Sequence, residues 1–525
     1  MTDLNALNSQ NLYAALRAGF PADLDSTAVE TAGSAQPLHY TWRDIERGSA
    51  MLANLLGSLN LPAASRVAAH TDKSVEALML YLAVLRSGHV YLPLNNAYQA
   101  DEVAYFIGNA EPAVVVCAGR NFGWISQIAF KASTPHFSPH VYTLNDDRSG
   151  TLLDRAAYQN DSQTPVPRGA DDLAAILYTS GTTGRSKGAM LSHGNLLSNA
   201  RVLKDFWAWR SAADGGDVLI HALPIFHVHG LFVASHGALL NGSKMIWFNR
   251  FDAAAVVARL PQATVFMGVP TLYVRMLAEA GLTREACSRM RLFISGSAPL
   301  LIETFKAWQQ RTGHTILERY GMSETTMLTS NPYRPEAARR GGTVGLPLPG
   351  VALRVHDAKG SPLPAGDIGG IEVKGPNIFK GYWKMPEKTA DEFTTDLWFK
   401  TGDLGHVDSD GVVTIVGRSK DLIISGGYNV YPAEIESYMN DLPGVAESAV
   451  VGVPHPDFGE VVVAVVVRKP GVELDAATIV AQLKNRIANF KVPKQVFVSD
   501  DLPRNAMGKV QKALLREQHK ALFTA

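Results

Sequence analysis

Near one-third of its length the chain places the apolar run Leu173-Ala174-Ala175-Ile176-Leu177 directly before Tyr178-Thr179-Ser180-Gly181-Thr182-Thr183-Gly184-Arg185-Ser186-Lys187-Gly188. An apolar run that opens into Ser, Thr and Gly and then a Lys reads as a strand emptying into a phosphate cradle. Glycines let the backbone approach an anion closely, backbone N–H groups and hydroxyls donate to it, and the lysine neutralises it. The stretch is not the P-loop GxxxxGK[ST]. Ser186 precedes the lysine, and Gly188 follows where a magnesium-binding hydroxyl would stand. The alternative reading, a flexible surface linker, does not account for so long an ordered pattern behind a buried strand.

The rest of the chain sets the architecture around this loop. Its 525 residues are too many for one core and enough for several domains. Lys plus Arg and Asp plus Glu both number 49, so no global field selects nucleic acid or an anionic membrane. The two cysteines, Cys117 and Cys287, give no disulfide framework and suit a reducing compartment. The first twenty residues carry neither an apolar secretory core nor an Arg-rich leader, and no apolar run reaches membrane-spanning length. The expectation is a cytoplasmic enzyme of small-molecule substrates, with no nucleic acid and no membrane as partner.

Residues 40–170 alternate helical and strand-like stretches, with a helix over Ser74 to Ser87 and a buried strand over Ala113 to Ala118. From Gly341 to Asp410 short strands lie among many Gly and Pro, which suggests a β-rich subdomain. After Gly417-Arg418 comes a small α/β unit. It has strands at Ala449 to Val453 and Val461 to Val467, and amphipathic helices expected over Ile479 to Phe490 and Lys509 to Leu522. The predicted fold class is α/β. A large N-terminal domain of α/β sheets with a β-rich subdomain spans 1–418, and a small C-terminal α/β domain spans 419–525.

The phosphate-loop run and four further motifs, in this order, resemble the adenylate-forming superfamily of acyl-CoA synthetases, adenylation domains and luciferases. The resemblance implies ATP, Mg²⁺ and coenzyme A as partners, and a C-terminal domain that is mobile. Thr179, Ser180, Gly181, Thr182, Thr183, Gly184 and Lys187 would hold ATP phosphates, with the Thr179 hydroxyl also near the metal. In Glu318-Arg319-Tyr320-Gly321-Met322-Ser323-Glu324, Tyr320 takes the place of the residue that stacks on adenine, and Glu324 that of the magnesium carboxylate. Glu318, Gly321 and Ser323 would complete that nucleotide segment; Ser323 stands where Thr is more usual and keeps the hydroxyl. Asp403, in Thr401-Gly402-Asp403-Leu404-Gly405, would accept from the ribose hydroxyls, and Arg418 would face ribose and phosphate oxygens. Lys420 occupies the hinge position of the family, and the turn Ser425-Gly426-Gly427 would be carried in for the second half-reaction to line a coenzyme A tunnel. Lys509, in Leu502-Pro503-Arg504-Asn505-Ala506-Met507-Gly508-Lys509, matches the catalytic lysine of the adenylation step. As an exposed amine beside Gly508 it would also be a target for a lysine acetyltransferase.

The acid is read from segments that build the acyl pocket in this superfamily. Members that activate amino acids place an Asp in the segment that here reads Leu223-Pro224-Ile225-Phe226-His227-Val228-His229-Gly230, and this chain has none. Gly296, Ser297 and Ala298, in Ser295-Gly296-Ser297-Ala298-Pro299, would line both nucleotide and acid. Two arginines, Arg275 and Arg291, lie close to pocket segments in sequence, and a guanidinium suits a substrate whose tail is itself a carboxylate. With His227, Arg275 and Ser297 as the substrate set, the chain resembles malonyl-CoA synthetases. It would convert malonate, ATP and coenzyme A to malonyl-CoA, AMP and pyrophosphate through malonyl-AMP. A ligase for methylmalonate or another short acid, or an adenylation enzyme that loads a carrier protein, is the alternative.

Overall fold

The structure, a computed structural model, describes residues 10–33, 36–133, 138–179, 186–425, 428–484, 486–505 and 508–523. Four sheets form among them. A six-stranded sheet runs in the order His140–Thr143, Val114–Cys117, Arg66–His70, Val90–Pro93, Leu173–Thr179 and Lys187–Ser192. Its strands are parallel except the last, which folds back antiparallel on Leu173–Thr179 with Thr179 opposite Lys187. A nine-stranded sheet has a parallel centre, from Leu317–Met322 through Leu292–Ser295, Val265–Gly268, Val218–His221 and Lys244–Phe248 to Thr27–Ala32.

Between these two layers lies Val75–Arg86, a helix buried along its whole length. Ser74 starts it by accepting from the Ala77 amide, and an apolar side chain faces out on nearly every turn. A helix apolar all round can only sit between two sheets, and this one fuses both layers into a single core. A four-stranded antiparallel sheet, Ala352–His356 to Val413–Arg418, follows. The C-terminal unit is a second α/β layer in which Val445–His455 and Gly459–Arg468 pair over their full length. The alternating valines of those strands close two small cores, one on each face.

Two helices differ from the sequence expectation. The helix expected over Ile479 to Phe490 is Ala476–Lys484. The Asp475 carboxylate accepts from the Thr478 amide to begin it, and Phe490 lies beyond it in a separate short turn, with its ring stacked on Tyr428. The helix expected from Lys509 begins at Lys512 and ends at His519. Gly508 has φ +75°, and the Lys509 amide donates to the Asn505 side chain, so the chain turns instead of coiling.

Candidate active site

The carboxyl ends of the parallel strands converge. Thr179, His221, Gly268, Ser295 and Met322 each end a strand on the side where open α/β sheets take their ligands. Ser180, Gly181, Thr182, Thr183 and Gly184 lie outside the described residues, as do Gly426 and Gly427. The strands flanking the phosphate loop are described. The Thr179 hydroxyl donates to the Lys187 carbonyl at 3.4 Å, and the Lys187 ammonium pairs with Glu392 at 3.2 Å.

The Tyr320 hydroxyl donates to Asp403, and Arg418 Nε sits 2.7 Å from the other Asp403 oxygen. Burial raises the Asp403 carboxyl, and Arg418 and the Tyr320 hydroxyl pull it back down. Tyr320, Asp403 and Arg418, far apart in sequence, thus form one unit. Gly321 lets the backbone turn there, since a Cβ would lie 1.9 Å from the Thr326 carbonyl oxygen. Ser323 is half-buried and Glu324 buried. The Glu324 side chain accepts from the Tyr382 hydroxyl at 3.0 Å, and burial raises its pKa. Among the described residues no ion pair reaches it, so a hard carboxylate without a cation faces the Lys187 side of the site. That donor fits a magnesium ion shared with phosphate oxygens. Glu318 turns its carboxyl elsewhere, accepting from the Gly342 amide at 3.0 Å, and burial pushes it up to about 8.

On the acid side, His227 and His229 flank the entry to a π-helical turn, His229–Ser235. Gly230 is required there, because a Cβ would lie 2.1 Å from the Pro224 carbonyl oxygen. The turn rests on a buried chain: the Lys73 ammonium donates to His221 Nδ1, and His221 Nε2 reaches the Gly230 carbonyl, both at 3.0 Å. Burial lowers His227 to about 3, with Lys509 and Arg319 adding to the shift, so both imidazoles of the pair are neutral at pH 7. Ser297 is held at φ +71°, an uncommon backbone for a non-glycine residue, with its hydroxyl 3.4 Å from His229 Nδ1.

Sequence reasoning gave Arg319 no role. It is 3% exposed, and among the described residues its Nε and Nη2 have no hydrogen-bond partner. Burial lowers its pKa to about 9. It packs flat on Gly296, where a Cβ would meet its guanidinium carbon at 2.4 Å, and its charge reaches His227, His229 and Lys509. A buried, unpaired cation is costly unless an anion arrives to meet it. The signal was present in Glu318-Arg319-Tyr320, but strand alternation alone does not separate a ligand-facing arginine from a structural one.

Arg275 is exposed on the Pro270–Leu277 helix and lines a cleft of about 550 Å³ at the domain boundary. That cleft also takes in Lys73, Asn95, Phe226, Asn505 and Gly508. Arg291 is elsewhere. It forms a buried bidentate pair with Asp217, Nε to Oδ1 at 2.7 Å and Nη2 to Oδ2 at 2.5 Å.

The C-terminal unit closes the site. Lys509 stands exposed on its turn and shares a field with Arg418, Asp403, Arg319 and Glu324, where desolvation first and Arg418 next lower its pKa. Gly508 brings that turn against Thr271. Lys420 sits in a one-turn connection, Ser419–Asp421, held at one end by Ser419 on the Gly402 carbonyl and at the other by Arg516 on Asp421. Ser425 is buried, at the end of the Ile423–Ser425 strand.

Cations spread over two domains around a carboxylate without a cation, at the ends of parallel strands, define an enzyme that joins anions with the help of a nucleotide. The chain belongs to the AMP-binding enzyme family, which matches residues 22–383, and the C-terminal domain of that family matches residues 434–509. It is 34% identical to a malonate–CoA ligase of Arabidopsis thaliana over 86% of this chain and 78% of that one. It is equally identical, 34%, to a feruloyl-CoA synthase of an Amycolatopsis species over 94% and 96% of the two chains. ATP-bound MatB from Rhodopseudomonas palustris superposes with a TM-score of 0.93 at 52% identity, covering 98% of this chain and all of that one; apo MatB superposes at 0.82.

Proposed function

We propose that this protein is an ATP-dependent acid–thiol ligase that forms malonyl-CoA. In the first half-reaction a malonate carboxylate oxygen attacks the α-phosphorus of ATP, the P–O bond to the β-phosphate breaks, and pyrophosphate leaves. In the second, the coenzyme A thiolate attacks the acyl carbonyl, the carbonyl–oxygen bond breaks, and AMP leaves. We assign the nucleotide roles as follows from the family motifs, a reading that the Tyr320–Asp403–Arg418 unit supports. Tyr320 faces adenine, Asp403 and Arg418 take the ribose and α-phosphate, and Lys187 takes the outer phosphates. Glu324, with Thr179, holds the magnesium ion, which screens phosphate charge when bound. Lys509 meets the charge that builds between carboxylate and α-phosphate, where a cation acts most strongly in the transition state. The domain boundary falls at Arg418–Ser419, with Lys420 as the hinge residue. Ser425, Gly426 and Gly427 line the coenzyme A path once the small domain turns.

The observation that carries the malonate assignment is the unpaired, buried guanidinium of Arg319 beside His227, His229 and Ser297. A monocarboxylate would leave that charge uncompensated, whereas the distal carboxylate of malonate meets it. Arg275 adds a second cation at the mouth. The relatives named for malonate support the same substrate, while the equally similar feruloyl-CoA synthase shows that overall identity does not choose the acid. The test is product identification by mass spectrometry with ATP, coenzyme A and mono- and dicarboxylic acids. Malonyl-CoA in excess over methylmalonyl-, butyryl- and feruloyl-CoA is expected, and a preference for a monocarboxylate would refute the assignment. No helix of the described residues is long and apolar enough to cross a membrane. We place the enzyme in the cytoplasm, with Lys509 as the lysine whose acetylation would silence adenylation.

A further inference from the structure

Tyr382 belongs to none of the motifs above, yet its side chain touches two of them. The segment Phe379 to Trp383 crosses the site as a tie. The Phe379 amide donates to the Glu324 carbonyl at 2.8 Å, the Met190 amide to the Gly381 carbonyl at 3.0 Å, and the Trp383 amide to the Gly188 carbonyl at 2.8 Å. Between these anchors the Tyr382 hydroxyl donates to Glu324 Oε1 at 3.0 Å, and the Lys187 ammonium lies 4.2 Å from the centre of its ring. The ring is 3% exposed and packs edge-on against Phe379 at 4.9 Å.

Glu324 and Lys187 are opposite charges within electrostatic reach of one another, and Lys187 is also paired with Glu392 at 3.2 Å. Left alone, they would gain most by closing into a direct ion pair, which would take the carboxylate from a metal and the ammonium from a phosphate. Tyr382 satisfies each from a different part of one rigid group. Its hydroxyl takes one carboxylate oxygen, Oε1, and its π-face carries the ammonium beside the pair with Glu392. We infer that Tyr382 is the positioning residue that holds Glu324 and Lys187 apart, so that a divalent cation and the outer phosphates of a nucleotide can enter between them. The inference rests on the reading of Glu324 as the metal carboxylate.

Substitution separates this role from simple packing. Tyr382→Phe keeps the ring, its place against Phe379 and the π-face under Lys187, and removes only the hydroxyl. Binding is read without turnover, by electron paramagnetic resonance of free Mn²⁺ titrated into enzyme saturated with a non-hydrolysable ATP analogue, and by nucleotide binding in EDTA. Loss of an oriented partner behind a metal ligand weakens metal binding by about tenfold or more. Tyr382→Phe should therefore weaken Mn²⁺ binding by about tenfold and leave metal-free nucleotide affinity unchanged in a folded protein. Tyr382→Leu should weaken Mn²⁺ binding as well, and in addition weaken metal-free nucleotide binding several-fold, because Lys187 loses its platform; if the leucine variant does not fold, the phenylalanine variant decides. Unchanged Mn²⁺ affinity in Tyr382→Phe would overturn the inference, as would an equal loss with and without metal. Glu324→Gln is measured in parallel. A large loss of Mn²⁺ there, with none in Tyr382→Phe, removes only the role of Tyr382; no loss in Glu324→Gln removes the metal reading and this inference with it.

Discussion

Replacing Arg319 by Met should do two things of opposite sign. In the free enzyme the guanidinium is buried and its pKa is lowered to about 9, which corresponds to several kcal/mol of unfavourable burial at most. A group whose folded pKa is depressed destabilises the fold at every pH below that folded value, so at pH 7 the whole term is present. Met fills a similar volume without the charge and should raise the melting temperature of the ligand-free enzyme by a few degrees. With malonate bound the sign reverses. The distal carboxylate now has no partner in a pocket of neutral imidazoles, and breaking a buried pair from one side costs about 3–5 kcal/mol. This corresponds to a fall of about 10²–10³-fold or more in kcat/KM for malonate, because each 1.4 kcal/mol is about tenfold. Butyrate, with no distal charge, should be used as well as or better than by the wild type. The assay is pyrophosphate release with malonate and with butyrate, beside a thermal melt without ligands. A less stable variant that loses both acids equally would refute the reasoning, because that pattern marks Arg319 as structural.

Arg275→Met should shift the malonate-to-butyrate ratio in the same direction but less, since Arg275 is exposed at the mouth, and an unmoved ratio removes it from the pocket. Lys509→Ala should abolish pyrophosphate release with malonate yet still convert synthetic malonyl-AMP and coenzyme A to malonyl-CoA; equal loss in both assays would contradict two conformations. Stoichiometric acetylation of Lys509 should reproduce that split. Glu318 carries a raised carboxyl pKa of about 8, so its contribution to stability is present in full below the ordinary value of 4.5 and is lost as pH rises through 8. Glu318→Gln should therefore flatten the fall in melting temperature between pH 5.5 and pH 9 (a range chosen about those two values), and an unaltered slope assigns the alkaline loss to another group. Arg291→Met leaves Asp217 buried without its partner and should cost several kcal/mol of stability while leaving acid selectivity alone.

What could be read from the chain is what local order encodes. The Leu173–Thr179 strand, the helix starting at Ser74 and the valine-rich strands of the C-terminal unit carry their periodicity and caps in adjacent residues, and all appear in place. The bounds of the helix expected over Ile479 to Phe490 were hidden because Asp475, which caps its start, lies outside the apolar pattern, and because beyond its end the Phe490 ring is held by Tyr428, sixty-two positions away in sequence. The start of the helix expected at Lys509 failed for a local reason of another kind. Gly508 can adopt positive φ, and amphipathic spacing does not reveal whether it does.

The site divides the same way. Tyr320, Asp403, Arg418 and Lys509 belong to short motifs, and the fold brings them together, with Tyr320 bonded to Asp403 and Asp403 to Arg418. Arg291 was left outside the substrate set, and Arg319 was given no role. Both are arginines near pocket segments, but one pairs with Asp217, while two guanidinium nitrogens of the other have no hydrogen-bond partner among the described residues, and only three-dimensional neighbours tell them apart. A chain with no net charge can still gather anions when its cations collect in one cleft. Lys187, Arg319, Arg418 and Lys509 are drawn from four separate stretches of sequence, and the carboxylates among them stand on the nucleotide side. Malonate, ATP and coenzyme A all arrive negatively charged and must approach one another. The acid side offers Arg319 with two neutral imidazoles, so the distal carboxylate of a dicarboxylate meets a cation there, and a zwitterionic amino acid meets a cation where its ammonium would have to sit.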